Sequence, residues 1–204
     1  MNRTQRTSLN KSRFTEFFIQ ANSLGKNGFD EWLFLPGMLF MAPDKWWGNR
    51  SKRDHPHEGL DLGLYRDRQG NVRQLDEATQ IPAMFGGMVI GVLDDFLGKS
   101  VIMQHVLPDN TTSMIITIYG HTIAAENLKA GRSFNQGDII ATLANRKKSK
   151  TDIDPHLHIS TAWGLRTGSY DDLNWNTIGT SDTLTLFDPL QVMDWPYSVL
   201  EDDF

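Results

Sequence analysis

Three apolar, β-branched runs in the middle of the chain constrain its fold most strongly. They are "GGMVIGVLDD", "KSVIMQHVL" and "TSMIITIYG", and the segments that separate them, "DDFLG" and "PDNTT", are rich in turn-forming residues. Runs of this length, separated by short turns, are typical of strands that pair with their neighbours in sequence. The sequence therefore predicts an antiparallel β-meander within an all-β domain.

Shorter patterns on both sides extend this prediction. Leu60, Leu62 and Leu64 alternate with other residues, which is the period-two pattern of a half-buried strand and turns Asp61 to the opposite face. "AGRSFNQGDIIATL" places a glycine–aspartate turn before another strand, and "DPHLHIST" predicts a strand that carries histidines at alternate positions. We expect a small antiparallel sheet assembly with an open groove.

The two ends of the chain differ from this strand-rich part. Phe14, Phe17 and Phe18 fall at helical spacing, so the sequence predicts a short helix over about residues 11–22 that docks on the main body. The tail "FDPLQVMDWPYSVLEDDF" predicts a short helix or turn followed by an acidic end. We divide the chain into an N-terminal extension (1–45), a main domain (46–195) and an acidic tail (196–204).

The composition excludes several classes of protein and of site. The formal net charge of −5 at pH 7 provides no basic surface for nucleic acid, so we expect no nucleic-acid partner. With no cysteine, a metal must be held by His, Asp or Glu. No secretion signal is visible at the N-terminus, and "WLFLPGMLFMA" is about half the length of a membrane span, so we interpret it as buried core and expect no transmembrane segment.

Two pairs of residues have the spacing of a metal site. His156 and His158, two apart on a strand, point to the same face with Cα atoms about 7 Å apart. His57 and Asp61 would be about 13 Å apart on a straight strand, so the backbone must bend between them, and Gly59 is placed to permit that bend. Two imidazole nitrogens and one carboxylate would leave the fourth tetrahedral position to water, the arrangement of a catalytic zinc site.

His121 supplies a further imidazole. It follows the predicted strand "MIITIY" and could enter the same cleft, so that one of His156 and His158 binds the metal and the other handles a proton. On spacing alone, an HxxxD pair is common, and an HxH pair also occurs on solvent-facing strands. Neither pair alone establishes a site.

The order of these motifs resembles the lysostaphin/LytM-type zinc metallopeptidases. "HEGLD", "IPAMFGGMVIGV", "YGH", "AGRSFNQGDIIATL", "HLHIS" and "FDPL" follow one another as in that family, from about residue 48 to residue 190. The resemblance implies the duplicated hybrid motif fold and zinc-dependent cleavage of peptide cross-links in bacterial peptidoglycan. It also implies a periplasmic or extracellular location, although no signal peptide is visible.

The resemblance implies a role for each residue of the site. His57, Asp61 and His158 match the zinc ligands. His121 and His156 match the two histidines that do not bind the metal but handle protons or stabilise the oxyanion, and the sequence leaves open which does which. The sequence does not predict the oligomeric state.

Two alternative functions remain. One is a non-catalytic cell-wall binding or activator domain of the same fold, which would be favoured if the N-terminal segment blocked the site. The other is a metal-free histidine phosphotransfer carrier, which uses paired histidines but does not need Asp61. Metal analysis of the purified chain distinguishes the second alternative.

Several other residues have two interpretations each. We expect His55 to be a solvated loop residue or a hydrogen-bond partner of a metal ligand, and His105 to be a hydrogen-bonded structural histidine. Tyr119 could support the site or simply pack. Arg50 and Arg53 could bind a substrate carboxylate or lie at the surface. Four of the six tryptophans could line a groove or fill the core: Trp46, Trp47, Trp163 and Trp175.

Overall fold

The chain folds into antiparallel β-sheets with one short α-helix. The structure is a computed structural model that describes residues 10–107, 112–144, 153–170, 173–175 and 177–201. These residues contain helix α1 (Phe14–Ala21) and thirteen strands. The strands are β1 (Phe29–Phe34), β2 (Leu60–Leu62), β3 (Leu64–Asp67), β4 (Val72–Gln74), β5 (Gln80–Pro82), β6 (Gly87–Asp94), β7 (Lys99–Val106), β8 (Ser113–Ala124), β9 (Ser133–Phe134), β10 (Ile139–Leu143), β11 (Leu157–Leu165), β12 (Leu184–Phe187) and β13 (Tyr197–Val199).

The larger sheet has nine strands, and β8 and β11 lie in its middle. Its main path runs β12-β11-β8-β7-β6-β9, β10 pairs with both β8 and β5, and β2 pairs with β11. All of these pairings are antiparallel. The meander predicted from the three apolar runs is confirmed as β6, β7 and β8, and the all-β fold class is confirmed with it.

A second, four-stranded sheet joins distant parts of the chain. Its order is β13-β1-β3-β4, with β1 and β13 parallel and the other pairs antiparallel. It therefore takes strands from the extension (1–45), the main domain (46–195) and the tail (196–204). The division at residues 45 and 195 stays a prediction, and the last three residues of the acidic tail lie outside the described residues.

The alternating leucines form two strands, not the single strand that their spacing predicts. Leu60 and Leu62 lie on β2 in the larger sheet, whereas Leu64 lies on β3 in the smaller sheet. The chain changes sheet at Gly63, where a Cβ atom would lie 3.1 Å from the Cβ of His156. Period-two alternation does not reveal which partner each half of such a run will find.

The predicted N-terminal helix is confirmed as α1, and it docks through one face. Phe14 and Phe18 are fully buried, while Phe17 is partly exposed. The ring of Phe18 packs edge-on against Trp32 of β1 at 5.3 Å, and the Trp32 indole donates a hydrogen bond to Thr15. The helix thus packs on the smaller sheet, and Asn22, which follows it, is bonded to Gln80 of β5 in the larger sheet.

The apolar window "WLFLPGMLFMA" contributes to the core, as predicted. Trp32, Leu33, Phe34 and Met38 are each at most 1% exposed. Among the described residues, no helix has both the length and the apolar character needed to cross a bilayer.

Candidate metal centre

His57 and Asp61 reach one site because a loop delivers the first and a strand delivers the second. His57 precedes β2, and its backbone N–H and C=O bond to Ala42 and Met41 respectively. Asp61 lies in the middle of β2, directly opposite His158 on β11. The loop and strand placements agree with the sequence prediction.

Gly59 is required here for space. A Cβ atom on Gly59 would lie 2.5 Å from the carbonyl oxygen of Ile159 and 2.6 Å from Nε2 of His158. The φ angle of Gly59 is not in the left-handed region, so the need for glycine comes from close approach of two chain segments. This reason differs from the bend that the sequence suggested.

Three potential ligand atoms form a nearly equilateral triangle. Nε2 of His57 lies 3.1 Å from Nδ1 of His158 and 3.2 Å from Oδ1 of Asp61, and Nδ1 of His158 lies 2.9 Å from the same oxygen. A tetrahedral zinc ion about 2.0–2.1 Å from each ligand needs neighbouring ligand atoms about 3.3 Å apart. The spacing of the three atoms fits such an ion.

Charge and burial suit a divalent cation. His57, Asp61 and His158 are 1%, 2% and 5% exposed. Burial alone would raise the pKa of Asp61, but the imidazoles of His57, His156 and His158 hold it well below its usual range, so Asp61 is ionised. Burial lowers the pKa of His158 to about 4, so its ring is neutral near pH 7, as metal binding requires.

Neighbouring groups orient the two imidazoles. Nδ1 of His57 lies 3.0 Å from the carbonyl oxygen of Leu39, which can only accept, so Nδ1 carries the proton and Nε2 keeps its lone pair. Nε2 of His158 lies 3.0 Å from the hydroxyl of Ser160, to which it can donate, leaving Nδ1 free for an ion. Such bonds fix the ligand atom that each ring presents.

His156 lies beside the triangle. Its Nδ1 donates to the carbonyl oxygen of Asp154 at 2.8 Å, and its Nε2 lies 3.9 Å from Oδ1 of Asp61. Burial lowers the pKa of His156 to about 4, which leaves Nε2 unprotonated near pH 7. His156 thus presents a basic nitrogen next to the candidate metal position.

His121 also faces this cluster, from within β8 and not after it as the sequence suggested. Its ring centroid lies 4.9 Å from that of His156 and 5.8 Å from that of His158. The β7–β8 register shifts at this point, and His121 has φ 62°, an unusual value for a residue other than glycine. Bulges of this kind redirect a side chain, and here the bulge directs an imidazole to the site.

Asp95, whose side chain is buried, is a residue at the site that the sequence analysis missed. It follows β6, and its carboxylate accepts a hydrogen bond from the backbone N–H of His121 at 2.8 Å. Its Oδ1 lies 3.4 Å from Nδ1 of His121. The motif "DDFLG" is typical of a turn, and the one signal in the sequence is an acidic residue close to a strand end.

The outer oxygen of Asp61 has its own partners. Nε1 of Trp46 donates to Oδ2 at 2.7 Å, and a guanidinium nitrogen of Arg53 lies 3.8 Å from it. Arg53 also donates to the carbonyl oxygens of Gly37 and Asp44. Arg53 is therefore bound within the protein and is not a free surface arginine.

Among the tryptophans considered for a groove, Trp46 and Trp175 lie at the histidine cluster, whereas Trp163 lies in the larger sheet. Trp46 packs edge-on against His156 at 5.0 Å, and Trp175 packs edge-on against His158 at 4.9 Å. Trp163 packs on Phe187 between neighbouring strands, away from these rings. Two of the four tryptophans thus flank the histidine cluster.

The remaining histidines and Tyr119 lie outside the cluster. His105 is buried and bonded to Gly86 and Thr117, as expected of a structural histidine. The hydroxyl of Tyr119 accepts from the N–H of Met84, which favours the packing role. His55 is exposed, as expected.

Two cavities border the cluster. A narrow cavity of 10 Å³, about the size that admits one water molecule, is lined by residues that include His121 and His156. A larger cavity of 290 Å³ is lined by Met41, His55, Pro56, Glu58, Trp175, Gly179, Thr180 and Leu186. Trp175 places this larger cavity next to His158.

Similar structures come from bacterial peptidases. The catalytic domain of the antimicrobial peptidase lysostaphin from Staphylococcus simulans is 16% identical, with a TM-score of 0.38, over 73% of this chain and 88% of that one. A zinc-containing peptidase from Vibrio cholerae is 18% identical, with a TM-score of 0.38, over 66% of this chain and 36% of that one. A lysostaphin structure determined by NMR is 18% identical, with a TM-score of 0.37, over 57% of this chain. This chain spans only 39% of that lysostaphin chain.

A family model gives the assignment. A search of curated proteins finds no match. The model described as Peptidase family M23 matches residues 66–169, about half of the chain. The matched region contains His121, His156 and His158, while His57 and Asp61 lie just before it. The chain belongs to peptidase family M23.

Proposed function

We propose that this protein is a zinc-dependent endopeptidase that cleaves peptide cross-links of bacterial peptidoglycan. The observation that supports this most directly is the triangle formed by Nε2 of His57, Oδ1 of Asp61 and Nδ1 of His158. Two nitrogens and one carboxylate oxygen make the ligand set of a zinc site that keeps one position for water or substrate.

The proposed chemistry uses the two remaining imidazoles. When bound, zinc supplies Lewis acidity that polarises a carbonyl group and makes water easier to deprotonate. One of His121 and His156 accepts the proton of the attacking water, and the other stabilises the oxyanion of the tetrahedral intermediate. Both residues are at most 7% exposed, and this burial strengthens the electrostatic interactions of their rings with reacting groups.

The substrate class rests on the family and on the sequence resemblance to lysostaphin/LytM-type peptidases. The cavity beside His158 combines apolar walls from Met41, Trp175 and Leu186 with the carboxylate of Glu58. A peptide chain has both apolar and polar groups to place against such walls.

The structure bears on the two alternative functions. A phosphotransfer carrier has no use for a buried, ionised Asp61 at the centre of its histidines. The N-terminal segment supports the site, because Leu39 orients His57, and deletion of residues 1–45 would therefore remove this contact. Point variants are the cleaner test of activity.

The test is zinc stoichiometry combined with mass analysis of peptidoglycan digests. We expect one zinc per chain in the purified protein and new peptide termini in the digest. His158→Ala should lose both, while His55→Ala, which removes an exposed imidazole outside the histidine cluster, should keep the zinc. Unchanged zinc content and hydrolysis in His158→Ala would refute the ligand assignment, and zinc binding without hydrolysis would favour the binding-domain alternative.

A further inference from the structure

The carboxylate of Asp95 is fully buried and held by four donors. Oδ1 accepts from the backbone N–H groups of Leu97 and Gly98 at 2.9 and 2.7 Å. Oδ2 accepts from the hydroxyl of Ser100 and from the N–H of His121 at 2.7 and 2.8 Å. The side chain has no exposed surface. An anion held by so many donors is rigid, and it remains ionised.

His121 presents its Nδ1 to this carboxylate. Nδ1 lies 3.4 Å from Oδ1 of Asp95 and is, among the described residues, the buried side-chain polar atom that lacks a hydrogen-bond partner. A buried imidazole N–H without a partner is costly, so a small rotation of the ring towards Oδ1 would be favourable. The other ring nitrogen, Nε2, is then left for the cleft.

The other histidines of the cluster already have such a partner. His57 is oriented by Leu39, His156 by Asp154 and His158 by Ser160. All three of these partners are neutral carbonyl or hydroxyl oxygens. In this cluster, His121 alone has a carboxylate as the neighbour of the ring nitrogen that faces away from the cleft. This difference separates it chemically from His156.

The backbone at His121 keeps the two groups together. Its φ of 62° is unfavourable for a side chain of this size, yet its N–H is bound by Asp95 and its C=O accepts from Ala144 at 2.8 Å. The network continues outwards, because Ser100 accepts from the indole of Trp175, which packs against His158. One carboxylate thus binds the main chain of His121 and also faces its ring nitrogen Nδ1.

We propose that Asp95 is a positioning residue for His121. It holds the proton of the neutral ring on Nδ1, keeps the lone pair of Nε2 directed to the cleft, and stabilises the positive ring after Nε2 has taken up a proton. The proton comes from the attacking water and is bound at Nε2, while the proton on Nδ1 stays hydrogen-bonded to Asp95. This role rests on the proposed peptidase function only for its effect on rate, since the tautomer exists without substrate.

The first experiment compares Asp95→Asn with Asp94→Asn in the zinc-loaded protein. Asp94 is the preceding residue, and its carboxylate is 86% exposed, so the same change there serves as the matched control. We expect Asp95→Asn to lower kcat by about 10²-fold or more, the usual size of a general acid–base contribution, while KM and zinc content stay near the values of the control. Equal kcat values for the two variants would overturn the proposal.

The second experiment does not depend on the variant folding. Long-range proton–nitrogen NMR of the zinc-loaded wild-type protein, at a pH where the His121 ring is neutral, shows which nitrogen carries the proton. His121→Ala identifies the signal. We expect the proton on Nδ1, and a proton on Nε2 would overturn the proposal even if Asp95→Asn is inactive through misfolding. A wild-type protein that shows the Nδ1 tautomer but no hydrolysis would count against the peptidase function and in favour of the positioning contact.

Discussion

The indole nitrogen of Trp46 lies 2.7 Å from Oδ2 of Asp61, and the other oxygen of the same carboxylate faces His57 and His158. The two carboxylate oxygens thus have different partners. One is directed to the candidate metal position and the other is held by a neutral donor. Because a carboxylate is planar, fixing Oδ2 also fixes the direction in which Oδ1 points.

Trp46→Phe should weaken zinc binding. The substitution keeps an aromatic ring against His156 but removes the N–H that holds Asp61. We expect the zinc dissociation constant to rise by about 10- to 100-fold, the range for loss of a contact that supports a ligand. Competition with a chromophoric chelator measures the change. Trp47→Phe is the control, and equal affinities for the two variants would contradict the role of the indole.

Gly59→Ala should disrupt the site by steric conflict. The new methyl group would meet the carbonyl oxygen of Ile159 and the ring of His158 at 2.5 and 2.6 Å. We expect a loss of about 1–3 kcal/mol in the free energy of unfolding, together with a loss of bound zinc. Gly91→Ala is the control, because its methyl group would meet Ile102 at an ordinary 3.7 Å. Urea unfolding and metal analysis measure both effects, and a stable, zinc-loaded Gly59→Ala would be inconsistent with this packing.

Phe18→Ala tests whether the N-terminal helix belongs to the same cooperative unit as the sheets. The fully buried ring packs on Trp32, so its removal should cost about 3–5 kcal/mol of unfolding free energy. Phe17→Ala, one position earlier and partly exposed, should cost less. Urea unfolding followed by tryptophan fluorescence and by far-UV circular dichroism should give one coincident transition. Two separate transitions would support a boundary near residue 45.

The neutral state of His105 should make stability depend on pH. Burial lowers its pKa from 6.5 to about 4, so between these values the unfolded chain binds a proton that the folded chain does not. The contribution of neutral His105 to the free energy of unfolding is therefore fully present above about pH 6.5. As pH falls from there to about 4, the free energy of unfolding decreases by about 1.4 kcal/mol per pH unit. His105→Gln should show a shallower decline in metal-free protein than the wild type. His55→Gln is the control, and an unchanged slope for His105→Gln would disprove the assignment.

Local patterns predicted the strands well because they are periodic and are separated by turn residues. The alternation of Leu60, Leu62 and Leu64 correctly predicted strand structure but wrongly predicted one continuous strand. The break at Gly63 depends on which strands lie near each half of the run. The pairing of β1 with β3 and β13 could not be predicted for the same reason. Sheet membership is decided by tertiary contacts between segments far apart in sequence.

The site was predictable in composition but not in its supporting contacts. Motif order identifies five residues, and the structure brings all five into one cluster. They are His57, Asp61, His121, His156 and His158, and their roles stay proposals. Asp95 could not be recognised, because an aspartate near a glycine also suits a plain turn. The left-handed backbone of His121 was equally hidden, because it arises from a shift of register between two strands.

The parallel pairing of β1 with β13 has a consequence for biosynthesis. The indole of Trp195 donates to the carbonyl of Asp30, 165 residues earlier, and β13 follows directly. Until residues 195–199 have been synthesised, β1 lacks its parallel neighbour, and one edge of the smaller sheet has open backbone groups. That edge therefore stays open to pairing with another chain until β13 is added to the sheet.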